Sequence, residues 1–486
     1  MLSTFGSLNT SLQTLQTMQL AIQVSSHNVS NANTDGYSRQ KAVLTPGQPY
    51  TVPSMNRYSP YGQVGTGVTV EKMQRFRDSF LDSQIRQESL SRDSWQVRQD
   101  VLQQAEVIWN EPSDTALNNQ MSAFWTAWQD LAATPNEAAT RANLVGAADD
   151  LAVTLNSTYQ QFSDLRADLD TQVANHVGSI NDLATQIAGL NKQIREVQGI
   201  GQQPNDLRDQ RDKLLTELSG YINVDIHESE SGTVMVSMGG KLLVMDEVAS
   251  KLRVEDDTAN SMLNRVVWDD TGQVVNITGV PLAGGLSSDA EELLGGKLGG
   301  VLVARDKLIP AEQSRLDSIA NTLITQVNAL HRNGVGLDGS TGLDFFSGTG
   351  ASDIAVNSVI SGDTNKLAAA ADAASLPGDG SNALAIAQLA TSKLMNSGTA
   401  TINEYFQAGI AQLGQNAKQA GVMVENQDLL VQHLSDRQEA LSGVSLDEET
   451  ANLLQYQHTY EAASRVMTTV DEMLDVIINK MGLVGR

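Results

Sequence analysis

Residues 5–29 read FGSLNTSLQTLQTMQLAIQVSSHNV, and residues 446–481 read LDEETANLLQYQHTYEAASRVMTTVDEMLDVIINKM. In the first stretch Phe5, Leu8, Leu12, Leu15, Ile22 and Val29 fall on a three-then-four spacing, with Gln19 and Ser26 filling the gaps. In the second, Leu446, Leu453, Tyr460, Met467, Leu474, Ile478 and Met481 keep the same beat, with Thr450, Gln457, Ser464 and Asp471 at the remaining positions. A seam this narrow needs a partner helix rather than a broad core. Helices of about 35 residues or fewer do not fold as domains alone. The two ends are therefore expected to meet each other, other copies of the chain, or both, and these residues are the candidate assembly seam.

Working outward, Asn28 to Tyr37 is rich in Asn, Asp and Gly, which cap helices and tolerate left-handed backbone, so the first helix should end there. Tyr37–Leu44 reads as extended. Pro46, Pro49, Pro53 and Pro60 then forbid long helix, and 65–70 reads as a short strand. Helix is expected from Arg75 to about Trp109, with Pro112 breaking it and Ser113 or Asp114 capping the next. The longest periodic segment, from Leu144 through Leu155, Phe162, Leu169, Ile180 and Ile187 to Val197, predicts a helix over 137–198. At 1.5 Å per residue that is a rod on the order of 90 Å long. A shorter helix, Asp206–Ser219, should turn back along it.

The pattern changes near Ile222. Val224–Ile226 and Thr233–Met238 alternate as strands do, Gly239-Gly240 marks a hairpin turn, and Arg265–Trp268 with Gln273–Thr278 reads as a second hairpin. Residues 222–284 are thus expected to form a small β domain inserted between helices, a module on a helical stalk. Helix resumes over 288–333 and, after a Gly/Asp/Ser-rich break, over 383–396 and 401–441. The predicted fold is mainly α with an inserted small β domain.

The chain has 486 residues, a net charge of −25 from 57 acidic and 32 basic residues, and no cysteine. The acidity argues against nucleic acid or anionic membrane as a partner. The missing cysteines exclude disulfides, thiolate zinc sites and Cys nucleophiles. No apolar stretch approaches the 18 residues of a membrane span, and the N-terminus lacks the charge and apolar run of a cleaved signal.

Chemical motifs are few. Gly334-Val335-Gly336-Leu337-Asp338-Gly339 matches GxGxxG, but a helix precedes it and a loop follows, the reverse of a dinucleotide site. Asp338, Ser340, Gly342 and Asp344 alternate like calcium ligands, yet the twelfth position is Thr349 and not Glu, so a solvated turn is the better reading. Gly295-Gly296-Lys297 lacks the rest of a phosphate loop and reads as a packing or hinge pair. The six histidines are scattered without ligand spacing, and His176 reads as packed. Asp447-Glu448-Glu449 suits the positive end of the last helix. These residues predict no catalytic, cofactor or metal site, and no enzyme.

Several blocks carry a family resemblance. Ser26-His27-Asn28-Val29-Ser30-Asn31-Ala32-Asn33-Thr34-Asp35-Gly36-Tyr37-Ser38-Arg39, followed by Val64–Val68 and Arg75–Leu81, resembles the shared motif of bacterial flagellar rod, hook and hook-associated proteins. Asn205–Leu215 (NDLRDQRDKLL), Gly295–Gly300 through Leu316-Asp317, and Ser445–Glu449 through Glu472–Asp475 narrow it to the hook-associated protein 1 family of hook–filament junction proteins. The resemblance singles out Asn28, Asn31, Asn33, Gly36 and Tyr37 as the family motif turn.

That resemblance implies a structural role: self-assembly through terminal helices paired as a coiled coil, and export through the flagellar type III apparatus without a cleaved signal. The protein would then be extracellular, overriding the cytosolic location that composition alone implies. Expected partners are other copies, hook protein on one side, a second junction protein and then filament on the other, and an export chaperone on the C-terminal helix. The expected domains are 1–44 plus 445–486 (inner, assembly), 45–221 plus 285–444 (long-helix bundle) and 222–284 (outer β). Three other readings compete: another flagellar axial protein, a secreted binding module on a helical stalk, and an enzyme with a dispersed site.

Overall fold

The computed structural model describes residues 4–49, 65–111, 113, 116–275 and 295–480. Met481, Pro53, Pro60, Pro112, Asp114 and the readings on 276–284 and 288–294 lie outside them.

The central element is the helix α4, Ala138–Gly199, 62 residues long. Its seam positions Leu144, Leu151, Leu155, Phe162, Leu169, Val173, Ile180, Ile187 and Ile194 are all buried, and Val177 takes the position of the slip beside His176. A helix this long is buried along its whole length only because other elements line it. Preceding it are α2 (Ser79–Trp109) and α3 (Leu117–Ala133). After it, α5 (Asn205–Tyr221) turns back along it as expected. Next in the chain come the β strands, then α6 (Gly296–Val303), a π turn over Ala304–Leu308, and α7 (Ile309–Asn333). The short α8 (Ser358–Gly362) and α9 (Ser381–Ala387) follow. The long α10 (Ile402–Ser442) then packs along α2, and α11 (Leu446–Asp475) packs along α1 (Thr4–Ser30).

Local signals explain the ends. The Asp78 carboxylate accepts from the amides of Phe80 and Leu81 and caps α2. Helix was expected from Arg75, but Arg75 closes a strand and the cap lies three residues on. Thr401 and Glu404 form a reciprocal capping box for α10. Ser113 does not cap α3; Ala116 holds that place without a side-chain bond, and Glu111 instead accepts from the Asn118 amide. The helix expected over 383–396 stops sooner: it ends at Ala387, tightens to a 3-10 turn over Gln388–Thr391, and Ser392 takes extended backbone.

One continuous core cluster runs from Val101 of α2 to Ala420 of α10. Trp109 packs against Phe162 and Phe406, and its indole N–H donates to Glu312 at 3.1 Å. Phe124, Trp128, Phe345 and Phe346 form a second aromatic group around the buried His331. Each such fully buried large side chain stabilises the fold by about 1.5–3 kcal/mol.

The expected strands appear as an antiparallel sheet of order β3-β4-β5-β6: Asp225–Glu228, Val234–Met238, Lys241–Met245 and Val248–Ala249. The second hairpin differs from the expected one. Strand β8 (Leu263–Trp268) pairs with β7 (Leu252–Asp257) over six residues, and its link to the 273–278 side is a single bridge, Val267 to Val274. The run of three acids in LRVEDD hid that strand. Both strand groups lie against the side of α4 and do not stand at the end of a stalk. Asn181 exchanges two 2.8 Å bonds with the Leu252 backbone, and Asn191 does the same with Val234 at 2.8 and 3.0 Å. Asp170 holds the Asn264 amide and Arg305 together. Val236, Leu243, Val244 and Trp268 enter the same core as α4.

The motif glycines have structural work. Gly334–Gly339 is a loop: Val335–Gly336 forms β9, paired with β12 (Ala368–Ala370), and no helix follows. Two further two-residue strands, β10 (Phe346–Ser347) and β11 (Ala355–Val356), pair between them. Gly296 takes φ +79° at the start of α6, where a Cβ would lie 2.5 Å from the Tyr221 backbone.

Candidate assembly interface

Two structures are built from the chain ends: a helix pair, and the polar mount that fixes it to the rest of the molecule. The mount begins at Asn28, fully buried near the end of α1. Its amide pairs with the Gln40 backbone like a strand neighbour, donating at 2.8 Å and accepting at 3.0 Å. The same oxygen accepts the Tyr37 hydroxyl at 2.8 Å. Burial, and then the carboxylates of Asp206, Asp209 and Glu449, push the Tyr37 phenol up, so it stays a donor. Gln40 opens strand β1 (Gln40–Pro46), antiparallel to β2 (Val68–Arg75). The Thr17 hydroxyl fixes α1 to that hairpin through the Val68 carbonyl at 2.9 Å.

The Asn205–Leu215 block meets the motif here. Asp209 accepts the Ser38 amide at 3.0 Å and Arg75 at 2.8 Å, while Arg75 also reaches Asp212 at 2.8 Å. Burial alone would lower the Arg75 guanidinium, but Asp212 and Asp209 hold it above its ordinary value. Asp206 accepts from Gln40 at 2.6 Å, and Asn205 donates to the Gln40 side chain at 3.0 Å. Arg77 pairs with Asp82 at 2.6 Å, and Gln438 of α10 bonds the other Asp82 oxygen. Stretches far apart in the chain thus share one polar knot.

The C-terminal helix joins through Arg39. Its amide donates to the Ser442 carbonyl at 2.8 Å, and its guanidinium pairs with Glu448 and Glu449, both at 2.7 Å. Glu448 and Glu449 of the first turn of α11 therefore have a partner besides their own helix end, and Ser445 caps that turn.

The motif turn residues divide. Asn28 and Tyr37 belong to the knot. Asn31 closes the helix end locally, donating to the His27 carbonyl and accepting from Thr34. Gly36 takes φ +82° over the Lys213 side chain, which pairs with Asp35. Asn33 is exposed.

Beyond the mount, α1 and α11 pack on each other and leave much of their apolar surface in water. Leu8, Leu15, Ile22, Leu453, Met467 and Leu474 are half-buried; Phe5, Leu12, Val29, Leu446, Tyr460 and Ile478 are exposed, Phe5 by 65% and Ile478 by 70%. None of the twelve is fully buried. On α11 only Glu449 and Val470 are buried. The buried face of α1 is instead Ser11, Thr17, Met18, Ala21, Ser25 and Asn28, mostly small or polar residues that carry no hydrophobic period. Leu20 on α1, Leu454, Val466 and Met473 on α11, and Ile477 in the π turn that follows it (Val476–Lys480) add to the open apolar surface. Burying one half-exposed Leu, Ile or Val is worth roughly 1 kcal/mol, so these residues together can drive association. Among the described residues no helix is long and apolar enough to cross a membrane.

The structure is a helical body with its N-terminal and C-terminal helices paired on a shared polar mount. Comparisons with known proteins give this architecture its place. Residues 102–346 match the profile described as "Flagellar hook-associated protein FlgK helical domain", and residues 437–480 match "Flagellar basal body rod FlgEFG protein C-terminal". The chain is similar to flagellar hook-associated protein 1 of Bacillus subtilis (strain 168), 32% identical over all of both chains. It is also similar to that of Escherichia coli (strain K12), 25% identical over 97% of this chain and 99% of the other. In fold it matches the flagellar hook junction protein FlgK from Burkholderia pseudomallei, with a TM-score of 0.64, 18% identity, 74% of this chain and all of that one. The fold and these relatives define a structural protein of the bacterial flagellum. The chain belongs to the flagellar hook-associated protein 1 family.

Proposed function

We infer that this protein joins hook to filament by self-assembly of its terminal helices, and that it carries out no catalysis. The observation that carries the reading is the α1–α11 pair, which is mounted by the Arg39–Glu449 and Asn28–Gln40 contacts yet leaves Phe5, Leu12, Leu20, Leu454, Val466 and Met473 in water. In the assembly these side chains meet the same helices of neighbouring copies as a coiled-coil inner layer. The working division is 1–44 plus 445–486 for assembly, 45–221 plus 285–444 for the helical body, and 222–284 for the outer β part.

On this reading hook protein lies on one side, and a second junction protein followed by filament on the other. The chain reaches the cell exterior through the flagellar export apparatus without a cleaved signal. A chaperone covers the exposed apolar face of α11 before export, since that face has no partner in a single copy except α1. The chain has no native cysteine, so one introduced thiol reports cleanly. Leu454→Cys should form cross-links between copies in assembled flagella under mild oxidation. Assembled flagella giving only monomeric Leu454→Cys protein would refute the packing of this face.

A further inference from the structure

A cleft of about 720 Å³ opens beside the polar knot, between the end of β2, the first turns of α2, α5, and strands β3 and β4. Its cations are Lys72, Arg75, Arg77, Arg86, Arg208 and Arg211, against three lining carboxylates, Asp82, Asp212 and Glu228. This surplus is the reverse of the chain as a whole, where acids outnumber bases 57 to 32.

The pairing inside the cleft is incomplete. Arg75 is committed to Asp209 and Asp212, and Arg77 to Asp82. Arg211, 1% exposed, reaches Glu228 at 3.1 Å and the Gly232 carbonyl at 2.5 Å, while its Nε lies 4.0 Å from Asp212 and makes no hydrogen bond. Arg208 has a buried Nε without an acceptor, and its Nη2 meets only the neutral amide oxygen of Gln198, in the amide orientation that satisfies Gln198. Arg86 makes no hydrogen bond or ion pair among the described residues. Burial lowers the pKa of both Arg86 and Arg208, and the nearby charges of Asp82 and Asp212 at Arg86, and of Glu228 and Asp212 at Arg208, oppose that shift without cancelling it. Arginine remains charged even so, and its planar fork matches a two-oxygen face.

We propose that this cleft is an oxyanion-binding site, with Arg86 and Arg208 as its open ligands and Arg211 as its buried floor. Two sources offer that chemistry: a free dianion such as phosphate, and an acidic side chain of a second copy packed alongside in the flagellum. The second source rests on the assembly reading above; the binding chemistry does not.

Isothermal titration of the full monomeric chain with inorganic phosphate, at constant ionic strength, tests the site directly. Saturable binding is expected, weakened about tenfold or more in both Arg86→Gln and Arg208→Gln. The unliganded Arg86→Gln chain should melt no lower than the wild type, because a partly buried charge that makes no hydrogen bond or ion pair among the described residues has been removed. No saturable binding up to about 50 mM phosphate, or unchanged affinity in both variants, overturns the proposal. Filament formation in cells carrying Arg86→Gln separates the sources. Impaired filaments with weakened phosphate binding support a carboxylate from a neighbouring copy, and normal filaments with weakened binding support the free dianion. Because the titration is read on single chains, failure of the assembly reading leaves it interpretable.

Discussion

The Arg39 guanidinium donates to Glu449 at 2.7 Å across 410 residues of chain, and Glu449 is 2% exposed. This bond ties the N-terminal motif to the first turn of the C-terminal helix, with a second bond from the same side chain to Glu448. Breaking it leaves a buried carboxylate alone, whereas Arg39 keeps part of its surface in water. Double-mutant cycles with Arg39→Gln and Glu449→Gln should give a coupling of about 1–2 kcal/mol by denaturant unfolding. Either single change should also speed proteolysis within α11 relative to α4. Unchanged cleavage of α11 would show that Arg39 does not hold it.

Asn28 serves three partners with one amide, so its replacement tests geometry as well as polarity. Asn28→Ala strands the Gln40 N–H and C=O and the Tyr37 hydroxyl, a loss of about 1–3 kcal/mol. Asn28→Asp keeps the acceptor but cannot donate to Gln40, and it adds a charge near Asp206. Circular dichroism melts should rank wild type above both variants. A melt of Asn28→Asp matching the wild type would rule out the donor role.

Surface and core leucines should separate stability from assembly. Leu155→Ala, fully buried on α4, should lose about 2–5 kcal/mol. Leu12→Asp on the open face of α1 should change the monomer by about 0.5 kcal/mol or less, yet block assembly. Thermal melts paired with a motility assay check both; a motile Leu12→Asp strain contradicts the account.

How much of this was readable from sequence depends on range and residue type. The α4 seam was legible because large apolar residues recur at helical spacing and are buried from Leu144 to Ile194, with Val197 at the helix end half-buried. The terminal seams were legible as periodic helices, but not how deeply a single copy covers them. The buried stripe of α1 was invisible, since Ser11, Thr17, Ser25 and Asn28 pack through hydrogen bonds and small size. Strand β7 was missed because three of its six residues are acidic, and it is held from outside by Asn181. The knot joins Ser38 to Asp209 and Arg75 to Asp212, at separations of 171 and 137 residues that no local pattern encodes. The resemblance marked those blocks without saying that they touch.

His331 gives the core a pH dependence. It lies between the Leu343 carbonyl, 2.7 Å from Nδ1, and the Ala368 amide, which donates to Nε2 at 3.0 Å. Nδ1 therefore carries the proton and Nε2 must stay bare. Burial lowers its pKa below the ordinary value of 6.5, opposed by the Leu343 bond and Asp344. The unfolded chain then binds the proton first, so this stabilisation is complete above about pH 6.5 and is lost as pH falls through that value toward the folded pKa. The stability gap between wild type and His331→Gln should narrow by about 1 kcal/mol from pH 7.5 to 5.0 in urea titrations. A gap that stays constant would mean that His331 does not titrate in this range.

The central claim is that the exposed apolar faces of the two terminal helices bind neighbouring copies. Its most direct measurement is electron microscopy of flagella on cells whose only copy carries Leu12→Asp and Leu454→Asp, with the purified protein melting like the wild type. The account predicts intact hooks, missing filaments and monomeric filament protein in the medium. Filaments of normal number and length on those hooks would contradict it.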